Sequence, residues 1–327
     1  MLNRAVLPAL AGGFLAVSGT VFAQQDYPNR PITMVIPFAA GGPTDILGRV
    51  VAQRMSEILG QQIVVENVGG GGGQTGSRRV LEAKSDGYTI LLGTVGTHAQ
   101  SQTISKRPIY NAAADFTPIA LLADAPLALI ARKDFPAADL KEFIAYAQAN
   151  ASKMQFGSSG AGSATHLGCI VANMAMGTNI VHVPYKGSGP AMHDLQGGRL
   201  DFMCTIVSLA KPQIDGGTVK AFAIMTKERS PALPNLPTAL EQGVPGMEAY
   251  TWNALFLPKD AAAPIVKKLA DAANESLNTP AVKERLEGLG VDVVSPQRRT
   301  PEYLGEFVKS EIEKWREPIL KSGAQSD

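Results

Sequence analysis

The sequence predicts an α/β chain folded into two lobes, with mostly parallel sheets joined by hinge strands and a cleft between the lobes. Three observations carry this. Strand-like and helix-like runs alternate almost throughout the 327 residues, the pattern of sheets with helical crossovers. Two long strand-like runs, 118–131 and 219–226, are placed to pass between two sheets, the first leaving one lobe and the second returning to it. Four strand-to-helix turns share a Gly- and Ser/Thr-rich composition, and open α/β sheets bind ligands at such turns.

In chain order, "ITMVIPF" (32–38) reads as a buried strand. "TDILGRVVAQRMSEILG" (44–60) reads as a helix, with Ile46, Val50, Met55, Ile58 and Leu59 roughly on one face and Gly60 as its stop. "QIVVEN" and "YTILLG" are strands. "PIALLADAPLALIARK" (118–133) is a long apolar run broken by Asp124 and Pro126. "DLKEFIAYAQAN" is a helix ending at Asn150. "MQFGSS", "IVHVPY", "DFMCTI" and "VKAFAIM" are four further strands separated by helical segments. Helices follow at about 261–278, 280–288 and 301–321. The first lobe is expected from 24–124 and 227–327, the second from 125–226. The Pro-rich "SPALPNLPTALEQGVPG" (230–246) is a surface loop with a short helix.

The N-terminus reads as a secretory leader: Arg4, an apolar segment, then small residues ending Val21-Phe22-Ala23. Cleavage is expected after Ala23. Pro8, Gly12 and Gly13 interrupt the apolar stretch, which falls short of the roughly 20 residues a membrane span needs. Removing Arg4 with the leader leaves 29 basic residues against 29 acidic ones. Such a balance gives no attraction to nucleic acid or an acidic membrane. Cys169 and Cys204 are the only cysteines. Export, an even count and placement on a helix and an adjacent strand predict a disulfide, with two buried thiols as the alternative. The bridge would close a loop of about 36 residues, worth roughly 3.8 kcal/mol in the chain-entropy model.

One stretch invites a nucleotide reading. "IVVENVGGGGGQTGSRRVLEA" (63–83) contains G-x-G-x-x-G at Gly71, Gly73 and Gly76, between a strand and a helix. The next strand ends in Gly93-Thr94, without the acidic residue a ribose hydroxyl requires, and no G-K-[ST] occurs. A flexible turn is the simpler reading, and no cofactor is expected. G-x-S-x-G and H-E-x-x-H are absent, and His98 and His166 lack partners at metal-ligand spacing. Neither an enzyme nor a metal site is expected.

The four turns are "PFAAGGPTD" (37–45), "GTVGTH" (93–98), "GSSGAGSATH" (157–166) and "PYKGSGPAM" (184–192). Each should open a helix, whose free amides and dipole favour an anion. Glycine lets backbone approach a ligand, and hydroxyls add orientable hydrogen bonds. Candidate binding residues are Phe38, Ala39, Gly41, Gly42, Thr44 and Asp45 in the first turn and Thr94, Gly96, Thr97 and His98 in the second. The third offers Ser158, Ser159, Gly160, Ser163 and His166; the fourth offers Tyr185, Lys186, Gly187 and Ser188. Asp45 is also placed to cap its helix, and structural roles remain open for both histidines.

The blocks "YPNRPITMVIPFAAGGPTD", "GQQIVVENVGGGGGQTG", "DGYTILLGT", "GSSGAGSATHL", "VHVPYKGSGPAMHDLQGGRLDFM" and "RSPALPNLPTALEQGVPG" resemble the Bordetella-uptake-gene (Bug) family over about 27–320. These are periplasmic solute-binding proteins of tripartite tricarboxylate transporters. The resemblance implies a periplasmic, cofactor-free Venus-flytrap receptor, expected to be monomeric, that carries a small organic carboxylate to two membrane subunits. It implies that the 37–45 turn holds one carboxylate, with Phe38 flanking it and Gly41 and Gly42 exposing backbone. It implies further donors from the serine-rich loop before His166. The cysteine pair departs from many relatives. A ligand-sensing subunit of a membrane signalling system is the alternative. Neighbouring genes for membrane subunits would favour transport, a neighbouring kinase sensing.

Overall fold

The computed structural model describes residues 27–325; the expected leader and its cleavage site lie outside them. Strands and helices alternate as β1 (Ile32–Ile36), α1 (Pro43–Leu59), β2 (Ile63–Asn67), α2 (Gln74–Leu81) and β3 (Thr89–Thr94). A π-helical turn at Gly96–Gln100 leads into α3 (Ser101–Ile104), then β4 (Phe116–Arg132). The second lobe follows as α4 (Leu140–Asn150), β5 (Gln155–Ser158), α5 (Ala164–Met176), β6 (Val181–Pro184), α6 (Ser188–Gln196), β7 (Phe202–Ile206), α7 (Val207–Asp215) and β8 (Val219–Ile224). The chain returns through β9 (Tyr250–Pro258), α8 (Ala263–Asn278), α9 (Pro280–Gly288), β10 (Asp292–Val293) and α10 (Pro301–Ser322).

The architecture is the expected two-lobed α/β fold, built on one curled, mixed sheet. Its flanks are parallel: β2-β1-β3 in the first lobe, β7-β5-β6 in the second. Its centre is antiparallel, because β4 runs through both lobes. The first part of β4 pairs with β9 from Phe116↔Pro258 to Pro126↔Tyr250. The part from Leu127 onward pairs with β7 and β8. Asp124 and Pro126, which interrupt the apolar run in the sequence, mark this crossing. The return differs from expectation. β8 stays in the second lobe, and β9, which the sequence reading did not pick out as a strand, carries the chain back.

Local signals explain the elements. α1 starts at Pro43, whose fixed φ suits a first helical residue, and stops at Gly60 with φ 67°. Leu47, Val50, Val51, Met55 and Leu59 face the core while Ile46 and Ile58 are half-buried, so the buried face is rotated slightly from the one expected. On the other face of the sheet in the first lobe, Trp252, Ala254 and Phe256 of β9 pack against Leu304, Val308 and Trp315 of α10. Among the described residues no helix is long and apolar enough to cross a membrane, and no group of side chains could hold a metal ion.

The two cysteines correct an expectation. Both are free and buried. Cys204 of β7 stands opposite Leu129 of β4, one residue beyond the Phe202 and Met203 that pair with β5. α5 seats Cys169 over Cys204, and the Cys204 N–H donates to Cys169 Sγ at 2.9 Å. The two thiols are neighbours, but no bond joins the sulfurs.

Candidate functional site

A small cavity lies between the lobes, with a volume of about 20 Å³, room for about one water molecule. Phe38, Gly42, Pro43, Thr44, Thr94 and Thr251 line it from the first lobe and the crossing strand. Ser159, Ala164, Thr165, Ser188 and Ile206 line it from the second. Among these residues none carries a charged side chain. The N-termini of α1, α5, α6 and α7 converge on it. At α1, α6 and α7 the capping residues Gly42, Gly187 and Ile206 supply no side-chain acceptor. The first-turn amides of those helices therefore keep hydrogen-bonding capacity, and each helix end adds a partial positive charge. Such an arrangement can hold an anion without a counter-ion.

The turn at 37–45 is shaped by Asp45. Its carboxylate accepts from the Gly41 N–H at 2.9 Å, Arg49 Nε at 3.0 Å and Asn67 Nδ2 at 2.9 Å. Asn67 also donates to the Phe38 carbonyl. Burial raises the Asp45 pKa, but these donors outweigh it and hold the carboxyl below the usual carboxylate value. Gly41 takes φ 78°, a left-handed conformation suited to glycine.

The serine-rich turn is held by neutral groups. Ser163 caps α5 by accepting from the His166 N–H and donates to the Gly160 carbonyl at 2.7 Å. Ser159 meets Thr165 Oγ1 through both its N–H and its hydroxyl. Behind the turn, Ser158 Oγ lies 2.6 Å from His182 Nε2, and the His182 ring stacks on His166 at 4.0 Å. His166 Nδ1 accepts from the Gly162 N–H. Burial lowers the His166 pKa to about 3, assisted by His182, and lowers His182 to about 4. Both rings are neutral at pH 7.

The five glycines do a different job from the one their motif suggests. Gly70 to Gly73 all have positive φ. A Cβ on Gly72 would lie 2.0 Å from the Ala161 carbonyl oxygen, and one on Gly69 would lie 2.5 Å from that of Lys186. The glycine run is thus a seam where first-lobe backbone meets the turns of the second. Ala39 N–H donates across the same seam to the Lys186 carbonyl at 3.0 Å. The lobes are closed on each other.

The remaining residues singled out from sequence fall around this cavity rather than on its wall. Gly96 abuts Gly162 and Ser163 backbone, Gly160 abuts Gly72, and Gly187 abuts Ala39. Thr97 spends its hydroxyl on Thr94 backbone and His98 Nδ1. His98 is fully buried, stacked on Phe256 at 3.9 Å, and burial lowers its pKa to about 3. Tyr185 donates to Asp194 at 2.6 Å. The Lys186 side chain is exposed. Pro43, Ala164, Thr165, Ile206 and Thr251 were not singled out. Pro43, Ala164 and Thr165 lie inside turns already flagged. Ile206 joins β7 directly to α7 without a glycine, and Thr251 comes from the unrecognised β9.

Comparison with known proteins agrees with this geometry. The family described as tripartite tricarboxylate transporter family receptor matches residues 47–323. The structure of periplasmic binding protein BugD superposes with a TM-score of 0.89 at 40% identity, covering 92% of this chain and 100% of that one. MatC from Rhodopseudomonas palustris, solved with bound malate, gives 0.87 at 38% identity over 90% of this chain and all of its own. R. palustris Rpa4515, solved with adipate, gives 0.86 at 32% identity, covering 91% and 99%. This family consists of solute-binding receptors, not enzymes, and the chain belongs to it: it is a receptor of the tripartite tricarboxylate transporter family.

Proposed function

We propose that the protein is exported to the periplasm, loses its leader after Ala23, and captures a small organic carboxylate between its lobes for delivery to the membrane subunits of a tripartite transporter. The observation that carries this reading is the convergence of helix N-termini, three of them uncapped by side chains, on an interlobe cavity with no charged lining residue. One carboxylate sits at the Gly42–Thr44 turn and takes hydroxyl and amide donors from Ser159, Thr165 and Ser188. Malate in MatC and adipate in Rpa4515 indicate the size and class of ligand to test. A cavity of about 20 Å³ is far below the few hundred that small ligands fill. The ligand therefore enters while the lobes are apart and is then enclosed.

A thermal-shift screen of mono-, di- and tricarboxylates and aromatic acids tests the reading. A ligand at about 100 times its dissociation constant stabilises the protein by about 2.7 kcal/mol. No shift with any acid, at concentrations up to 10 mM, counts against it.

A further inference from the structure

We propose that Asn253 is a specificity-determining residue that reads the far end of the ligand by donating a hydrogen bond from its carboxamide. This rests on the carboxylate reading above and adds to it the class of acid preferred. In the antiparallel β3–β9 ladder, Asn253 stands directly opposite Thr94. Directly paired residues share a face of the sheet, and so do residues two apart on one strand. Thr94 and Thr251 both line the cavity. Asn253, flanked by the two, therefore projects from the same face of the crossing strand.

Asn253 is only 4% exposed, and its Nδ2 has no hydrogen-bond partner. Its neighbours on the strand are differently placed: Trp252, on the opposite face, donates its Nε1–H to Glu311 at 3.0 Å. A buried amide donor without an acceptor is destabilising, and an acceptor brought by a ligand relieves that. The 37–45 turn receives one carboxylate at the carboxyl end of β1. A donor two strands away, at β9, suits an oxygen at the other end of the same molecule. The strand order β1-β3-β9, at about 4.8 Å per strand, separates the two by roughly 10 Å, before the side chains reach inward. The favoured ligand is thus an acid with a second oxygen acceptor remote from the first carboxylate, a dicarboxylate or hydroxy-dicarboxylate rather than an aliphatic monocarboxylate.

The test is titration calorimetry with succinate, malate, adipate and the matched monocarboxylates butyrate and hexanoate, on wild type, Asn253→Leu and Asn253→Asp. Wild type should prefer diacids. Asn253→Leu should weaken the preferred diacid about tenfold or more, leave monocarboxylate affinity unchanged, and raise the melting temperature of the unliganded protein. Asn253→Asp, which places a carboxylate against the ligand, should weaken diacids further. An Asn253→Leu protein that keeps the diacid preference, or melts lower with that preference intact, overturns the assignment and makes Asn253 structural. Wild type that binds none of the acids overturns the carboxylate reading itself, and the Asn253 assignment with it.

Discussion

The turn at Pro37–Asp45 and the turn at Gly157–His166 both deliver a helix N-terminus to the same cavity, but they are held by opposite kinds of chemistry. In the first lobe an ionised Asp45 gathers three donors. In the second, hydroxyls and two neutral imidazoles hold the turn. Each solution satisfies the framework from behind, and on the proposed reading leaves the forward amides for an anion. On that reading, an anion is held here with no cationic side chain lining the cavity from either lobe. The difference also means that the two walls should fail under different perturbations.

The largest expected effect comes from preventing the two walls from meeting. Gly72→Val places a Cβ against the Ala161 carbonyl, and both atoms are anchored by backbone. We expect ligand affinity to fall by about a thousandfold, roughly 4 kcal/mol, while the separate lobes stay folded. Small-angle scattering should show contraction on ligand addition in wild type and none in the variant. Gly198→Val is the control, since Gly198 has φ 72° and open space around it. A Gly72→Val protein that contracts and binds normally would show that the seam is not needed for closure.

Asp45→Ala attacks the first wall alone. The Gly41 amide and Asn67 carboxamide lose an acceptor at a site 5% exposed, so a loss of about 2–3 kcal/mol in stability is expected. Affinity should fall with it. Asp45→Asn, which retains one acceptor oxygen, should lie between. Urea denaturation and calorimetry on the three proteins check this, and an Asp45→Ala variant with wild-type stability would remove Asp45 from its framework role.

Much of the fold was legible in the sequence because strand–helix alternation, Pro43 and Gly60 are local signals. The parts that were not legible are long-range. β9 begins after a Pro-rich loop, and its polar Thr251, which lines the cavity, and Asn253 interrupt the apolar pattern. The four turns were visible as glycine and serine. Which of their side chains reach the cavity was not, since that depends on how the lobes meet. His98 illustrates the limit: its neighbours in sequence suggest a site, but Phe256, distant in sequence, makes it an aromatic core residue. The glycine run was read as a flexible turn, and only the partner backbone of Ala161 and Lys186 reveals why side chains are excluded there.

Acid should separate the walls. His166 and His182 have folded pKa values of about 3 and about 4, below the unperturbed 6.5. The unfolded chain therefore binds more protons as pH falls from 6.5, and stability drops progressively until the folded values are reached. Between pH 6.5 and 5 the pair should cost about 2 kcal/mol, after discounting for the partial exposure of His182. Fully buried His98, with a folded value of about 3, adds a loss in the same direction from the first lobe. Asp45 behaves differently. Its folded pKa lies below the ordinary carboxylate value, so its contribution is intact above about pH 4 and is lost only below that. Urea titrations at pH 7, 6 and 5 on wild type and His182→Gln should give a shallower slope for the variant. Equal slopes would mean that His182 titrates normally.

The smallest expected effect concerns the cysteines behind the second wall. If a covalent bridge held α5 against β7, reductant would loosen the serine-rich turn, and the contrast between the walls would be one of cross-linking rather than electrostatics. The geometry argues otherwise. Cys169 Sγ accepts from the Cys204 amide, and burial, with Cys169 alongside, pushes the Cys204 thiol well above its ordinary pKa. A buried, protonated thiol is a poor nucleophile and resists oxidation. Reductant should therefore shift the melting temperature by less than about 1 °C, whereas loss of a native disulfide typically costs 2–5 kcal/mol and would move it by several degrees. Alkylation after denaturation without reductant should add two alkyl groups by intact mass. Protein that takes up none, and melts lower with reductant, would establish a bridge and make the second wall covalently held.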